Sequence, residues 1–210
     1  MQSTRHLQAQ RSASTLDEET ARAEVYGLLA ALYYAAPSAG LYDNLRVAVT
    51  QAPVAGALLE SSWSELVAAA RAQPLAATCV EYDMLFGGVG KPDVYLFGSH
   101  YLSGFLNEKP LAALRTDIAA LGLARDEAMP ETEDHVAYLC EVMRYLIAGD
   151  DVEVANLTRQ REFFARHVQP WLALMCKAVM QHPKARFYLA LAAFTQAFVS
   201  VESQGFDMLE

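Results

Sequence analysis

Along almost its whole length this 210-residue chain repeats its apolar residues with the period of a helix, and almost nowhere with the period of a strand. Val25, Leu28, Leu29 and Leu32 fall at i, i+3, i+4 and i+7, and Leu111, Leu114, Ile118 and Leu121 repeat at a heptad-like spacing. Val136, Leu139, Cys140, Met143 and Leu146 form a third stripe, and Phe187, Leu191, Phe194, Phe198 and Val201 a fourth. Isoleucine occurs only at 118 and 147, while alanine and leucine are abundant, so residue propensity favours helix as well. An all-α fold is expected.

Proline and glycine divide the pattern into elements. A first helix is expected over 16–35, opened by a Thr15/Glu18 capping box and closed before Pro37. Helices should follow over 39–50 and 57–72, the latter with Ser62 and Glu65 as a second capping box. Pro74 suits the first turn of a helix carrying Leu75, Cys79, Tyr82 and Phe86, which Gly87-Gly88 stops. Pro110 and Gly122 bracket the Leu111 stripe, and Gly149 ends the Val136 stripe. Phe163, Phe164 and Val168 precede Pro170, which should start a helix with Trp171, Leu174, Met175 and Ala178. The last helix is expected over 184–203. About nine helices in one bundle-like domain over 15–210 result, with no internal repeat, behind a mobile tail over 1–14.

With 53% hydrophobic residues the chain can bury a substantial core, yet no apolar run reaches the roughly 18–20 residues that span a bilayer. The first fourteen residues lack the apolar stretch of a secretory signal, so a cytoplasmic protein without membrane insertion is expected. Cys79, Cys140 and Cys176 are odd in number and widely spaced, which fits reduced core thiols better than disulfides or a zinc knuckle. A net charge of −9 argues against a nucleic-acid binder. Asp126, Glu127, Glu131, Glu133, Asp134, Glu141, Asp150, Asp151 and Glu153 face only Arg144 in their window, so nine acidic residues against one basic carry nearly the whole excess. Two readings remain open: a solvated helix face with acidic caps, or a surface steering a basic partner.

Two polar loops stand out. Gly87-Gly88-Val89-Gly90-Lys91-Pro92 lacks the GxxxxGK[ST] of a phosphate cradle and follows a helix rather than a strand, so it reads as a turn. Met129-Pro130-Glu131-Thr132-Glu133-Asp134-His135 opens the Val136 helix, where carboxylates meet unpaired N–H groups and the positive end of the dipole. Capping accounts for Glu133 or Asp134 singly but not for both together with His135, whose titration near neutral pH would suit a hydrogen-bond switch. Glu131 and His135 have i, i+4 spacing, and Glu81 and Asp83 could add carboxylates, but no second histidine completes a metal site. Ser99 and His100 are adjacent without a nucleophile elbow, so catalysis is not expected. Tyr95, Phe97 and Tyr101, interrupted by Gly98, are either a loop anchored in the core or the lip of a groove.

The same residues resemble the TorD/DmsD family of redox-enzyme maturation chaperones, cytoplasmic all-helical proteins that attend molybdoenzymes before export or assembly. The similarity runs through Ala23-Glu24-Val25-Tyr26-Gly27-Leu28-Leu29, Glu81-Tyr82-Asp83-Met84-Leu85-Phe86, Phe97-Gly98-Ser99-His100-Tyr101-Leu102, Glu133-Asp134-His135-Val136, Glu141-Val142-Met143 and His167-Val168-Gln169-Pro170-Trp171. It implies a non-enzymatic protein that binds the twin-arginine leader of a molybdenum or tungsten oxidoreductase and assists cofactor insertion. In the family an Asp-His pair, here Asp134 and His135, and an aromatic-Gly-Ser loop, here Phe97, Gly98 and Ser99, line the leader site. Tyr101, Glu133, Leu85 and Phe86 complete the candidate set, with no cofactor or metal of the chain's own. The family loop often carries tryptophan where this chain has Phe97, and the present version looks most like chaperones associated with formate dehydrogenases. A monomer or homodimer fits equally. The alternatives are a protein that binds guanine nucleotide or molybdenum cofactor, and a helical interaction domain without a leader role.

Overall fold

Chain-breaking residues set the element ends much as their chemistry requires. The computed structural model describes the backbone of residues 2–50, 58–87, 91–126 and 128–208, with side chains from Glu18 onward within those ranges. In order come α1 (Gln2–Tyr34), α2 (Ala39–Val47), α3 (Glu60–Ala72), α4 (Leu75–Phe86), α5 (Gly98–Ser103) and α6 (Lys109–Ala120). They are followed by α7 (Val136–Ala148), α8 (Leu157–Phe163), a π turn (Phe164–Val168), α9 (Gln169–Gln181) and α10 (Phe187–Asp207). The fold is all-α, as the periodicity predicts. Among the described residues the sole β pairing is an isolated bridge between Phe97 and His135. No helix among them is long and apolar enough to cross a membrane.

Several ends carry local signals. Ser38 caps α2 by accepting from the Leu41 N–H at 3.3 Å, Pro74 stands at the N-cap of α4, and Pro110 lies in the first turn of α6. Gly122 leaves α6 in the left-handed region at φ 71°, where a Cβ would be strained. The Ser62/Glu65 box does not form. Leu59 occupies the N-cap of α3 without a side-chain bond, and the Ser62 hydroxyl donates to the Leu59 carbonyl instead. α1 begins at Gln2 rather than near Leu16, so residues 2–14, expected as a tail, have helical backbone, and the Thr15/Glu18 box, whose Thr15 side chain lies outside the described residues, does not open the helix.

The α8–α9 segment runs continuously through the π turn. Pro170 lacks an N–H, and its ring crowds the carbonyl of Arg166 four residues earlier, so a widened turn sits where the regular ladder cannot close.

The core gathers around α1 packed on α7 and α10 packed on α9 and α3. Leu29, Leu32, Leu139, Met143, Leu146, Phe187, Leu191, Phe194 and Phe198 are all buried there. Leu174 departs from its expected stripe and is half exposed. Cys140 and Cys176 are buried thiols, with burial pushing Cys176 up to about 12 and Cys140 further in the same direction, whereas Cys79 is only partly buried.

Two buried polar clusters tie distant helices together. The Arg22 guanidinium grips both oxygens of Glu202 at 2.7 and 2.8 Å, while Tyr26 donates to the same carboxylate at 3.0 Å. Arg22 also donates to Gln160 at 3.1 Å, so α1, α8 and α10 share one charge-paired node. Glu81 of α4 accepts the backbone N–H groups of Arg186, Phe187 and Tyr188 at 2.7, 3.1 and 2.9 Å, together with the Gln73 amide at 2.7 Å. A residue that the sequence offers as a metal carboxylate is thus the cap of α10.

Candidate functional site

The two loops singled out in the sequence lie side by side. Gly98 N–H donates to the Asp134 carbonyl at 2.9 Å and Val136 N–H to the Leu96 carbonyl at 2.8 Å, the crossed pair that makes the Phe97–His135 bridge. Asp134 then reaches across. Its Oδ2 accepts from the Ser99 N–H at 2.9 Å and the Ser99 hydroxyl at 2.5 Å, and its Oδ1 accepts from the Thr132 hydroxyl at 2.6 Å. A carboxylate 35 residues away therefore caps α5, a six-residue helix too short to hold by itself.

His135 caps α7. Its Nδ1 accepts from the Ala137 N–H at 3.2 Å, so the proton of the neutral ring is on Nε2. The ring meets Phe97 edge-on at 5.0 Å and Tyr34 at 6.4 Å. Burial lowers its pKa to about 4, with the neighbouring Asp134 charge opposing the shift. The expected switch near neutral pH is thus displaced, and His135 is neutral at physiological pH. A histidine depressed in the folded state leaves the unfolded chain binding more protons between its ordinary pKa and about 4, so stability falls as pH falls through that window. Between pH 7 and pH 5 the loss from this group is about 2 kcal/mol. Urea unfolding at both pH values should show that loss in the wild-type chain and not in His135→Asn, which retains an acceptor but does not titrate; equal slopes would remove His135 as the source.

The charge around the junction is mostly committed internally. Glu133 is buried and accepts from Arg115 Nε at 2.9 Å, with Arg125 Nε at 3.8 Å on its other oxygen. Arg125 also donates to the Met129 carbonyl and, at 3.2 Å, to that of Glu131. Glu141 pairs with Arg144 at 2.7 Å on the exposed face of α7. Two cations outside the acidic window, Arg115 and Arg125, thus neutralise part of it from α6 and the following turn. Glu131 and Asp83 act on the phenol of Tyr82, which burial first and these carboxylates second push up to about 12. Glu131 and His135 do not share a helix face, because α7 begins at Val136.

The aromatic residues divide into anchors and surface. Tyr101 stacks on Trp171 at 5.7 Å and donates to the Tyr95 carbonyl at 2.9 Å, which draws it inward. Trp171 is buried, donates from Nε1 to the His167 carbonyl at 2.7 Å, and lies directly over Gly98. Leu85 is fully buried in the core, and Phe86 is half buried against Tyr82 at 5.3 Å and Tyr188 at 5.0 Å. Phe97 is half buried and Tyr34 is 40% exposed, so these two rings stand between the buried His135 and the surface. Tyr82 donates to the Tyr33 and Tyr34 carbonyls at 3.1 and 2.8 Å and so closes the C-terminus of α1 beside them. His100 stacks on Tyr95 at 4.0 Å and Ser99 serves Asp134, which leaves the pair without a nucleophile–base geometry. Sequence reasoning missed Tyr34 and Tyr82; the first stands at a helix end, and the second reads as part of a core stripe. The Gly88–Gly90 part of the glycine loop lies outside the described residues.

The chain is similar to several known proteins. The TorD chaperone of Vibrio cholerae O395 is 27% identical over 112 residues, 50% of this chain and 51% of that protein. The TorD chaperone of Vibrio parahaemolyticus is 26% identical over 115 residues, 51% and 54% of the two chains. That of Shewanella loihica is 32% identical over 103 residues, 49% and 44%. The chain spans about half the length of the curated relatives it matches. A family model described as nitrate reductase delta subunit matches residues 54–177, the stretch that contains both loops of the junction. On that match, which covers more than half of its length, the chain belongs to the nitrate reductase delta subunit family.

Proposed function

We propose that this protein is a cytoplasmic chaperone, without catalytic activity of its own, that binds the twin-arginine leader of a molybdenum or tungsten oxidoreductase and attends the enzyme until its cofactor is inserted. Formate dehydrogenase is the client class that its loop favours. Family membership and the likeness to TorD chaperones support the chaperone role. The observation that carries the leader reading is the junction itself, where Tyr34 and Phe97 flank the neutral ring of His135 on a frame braced from below.

The division of labour differs from one in which Asp134 and Glu133 meet the leader's arginines. Asp134, Ser99 and Gly98 hold the frame, Leu85 belongs to its core side, and Glu133 is paired with arginines of this chain. The apolar part of the leader lies on Phe97 and Tyr34 with Phe86 behind, while Tyr101 keeps the Phe97 turn in place. Glu131 and Asp83, beside Tyr82, receive the arginines, as charge steering toward an apolar groove requires.

Titration calorimetry with a twin-arginine leader peptide tests this. Phe97→Ala should weaken binding about tenfold while the chain stays folded, and a twin-glutamine peptide should bind more weakly than the parent. A folded wild-type chain that does not bind the leader, or an unchanged affinity in Phe97→Ala, would overturn the reading.

A further inference from the structure

We infer that the outer face of α4, together with the turn between α9 and α10, is a docking site for a short amphipathic helix that carries carboxylates along one edge. The site does not depend on the leader reading, and its occupant is opposite in charge to a twin-arginine leader. Ala77, at the middle of the face, lies about 13 Å along α4 from Phe86 of the junction at the helical rise of 1.5 Å per residue.

α4 is amphipathic the wrong way round. Its polar Thr78 and Glu81 are buried, whereas Ala76, Ala77 and Val80 are exposed, Val80 to 68%. The inversion has a cause: Glu81 turns inward to cap α10, and Thr78 turns inward to the hydroxyl of Tyr42 at 2.9 Å, which leaves apolar residues outside. Ala77, Val80 and Met84 thus form a surface stripe at helical spacing, with Gln73 and Pro74 at one end and Lys184 and Arg186 along one side. The hollow between them measures about 450 Å³, within the range of ligand sites. Its side wall is held rather than loose. Ala185 N–H donates to the His182 carbonyl at 3.1 Å, Lys184 N–H donates to His182 Nδ1 at 3.3 Å, and Glu81 holds the N–H of Arg186 at 2.7 Å.

Charge and shape choose the occupant. In a chain of net charge −9 this face is basic. Lys184 and Arg186 are exposed on its edge, Lys184 without a carboxylate partner among the described residues, and Arg186 bonded through Nη1 to the Pro183 and Ala185 carbonyls, which leave its charge uncompensated. Glu81, the one carboxylate lining the hollow among the described residues, is buried with two N–H donors on each oxygen and so has no acceptor left for a ligand. Asp83 stands about 200° around the helix from Glu81, on the side of Tyr82 rather than of these cations. Ala72 and Ala77 put small side chains on the surface, so a helix backbone can approach closely, and the stripe from Ala77 to Met84 matches about two turns of it. Aliphatic side chains of such a helix cover the stripe while carboxylates on its edge pair with Lys184 and Arg186.

The test uses two synthetic helical peptides with leucines at i, i+3, i+4 and i+7, identical except that one carries glutamates and the other glutamines at the flanking positions. Each bears the same fluorescent label, and anisotropy reports binding. The glutamate peptide should bind at least about tenfold tighter than the glutamine peptide, although the net charge of the chain opposes it. Lys184→Glu should abolish that preference, and Val80→Asn should weaken the glutamate peptide about tenfold. Phe97→Ala should bind it as the wild type does, and all three variants should keep the wild-type helical circular dichroism. Equal affinity for the two peptides, no binding by the wild-type chain, a preference that survives Lys184→Glu, an unchanged affinity in Val80→Asn, or binding that Phe97→Ala removes would overturn the proposal. Asp150, Asp151 and Glu153 around the exposed Val152 give this chain an acidic segment of its own. A wild-type dimer that both Lys184→Glu and Val152→Asn convert to a monomer would assign the face to a second copy and overturn the proposal as well.

Discussion

Glu81→Ala should cost about 4 kcal/mol of stability and lower the melting temperature by about 8–16 °C. The carboxylate is 5% exposed and accepts three consecutive backbone N–H groups at the start of α10, with the Gln73 amide as a fourth donor. Arg186, which precedes α10, makes no side-chain cap of its own there. Alanine would leave N–H groups of Phe187 and Tyr188 in a site where water cannot replace the lost acceptor, and such orphaned donors carry their whole desolvation penalty. Glu81→Gln keeps one acceptor oxygen but removes the charge that faces the positive end of the helix, so about half the loss is expected. Urea unfolding of the two variants is the measurement. A Glu81→Ala chain within about 1 kcal/mol of wild type would show that α10 is capped in some other way.

Gly98→Ala should be nearly as costly, at about 3 kcal/mol, for a steric reason. A Cβ at this position would lie 2.9 Å from both Cε2 and Nε1 of Trp171 and 3.4 Å from Cζ2. The indole cannot retreat easily, because Nε1 is bonded to the His167 carbonyl and one face is stacked on Tyr101. Displacing Gly98 would also disturb its N–H bond to Asp134 and hence the bridge that holds Phe97 beside His135. The double variant Gly98→Ala/Trp171→Phe supplies the control. Phenylalanine lacks the atoms that would clash but forfeits the His167 bond, so the double change should cost at least about 1 kcal/mol less than the two single losses combined. Strict additivity would place the damage elsewhere.

The fold was legible where its determinants are local. Prolines 74 and 110 and Gly122 act within a turn of their own positions, and the stripes of α7 and α10 face the core as their period requires. The features that escaped are those whose cause lies far along the chain. Nothing in Gly98–Ser103 signals a helix, because its capping carboxylate is Asp134; nothing near Phe187 signals a cap, because it is Glu81. The Asp134–His135 pair and the Phe97 loop stand out as breaks in the helical pattern and are joined into one site by the family resemblance, but the state of His135 follows from burial that no local window encodes. The acidic window misled in a similar way, since Arg115 and Arg125, which answer Glu133, stand outside it.

The carboxylate of Asp134 has a further consequence. One side chain caps the start of α5 while its own main chain leads directly into α7, so the two helices share a single latch. Coupling through such a latch is reciprocal: to the extent that straining the start of α7 loosens α5, ordering α5 tightens α7 by the same coupling free energy. An occupant resting on Phe97 would therefore be sensed by helices it never touches.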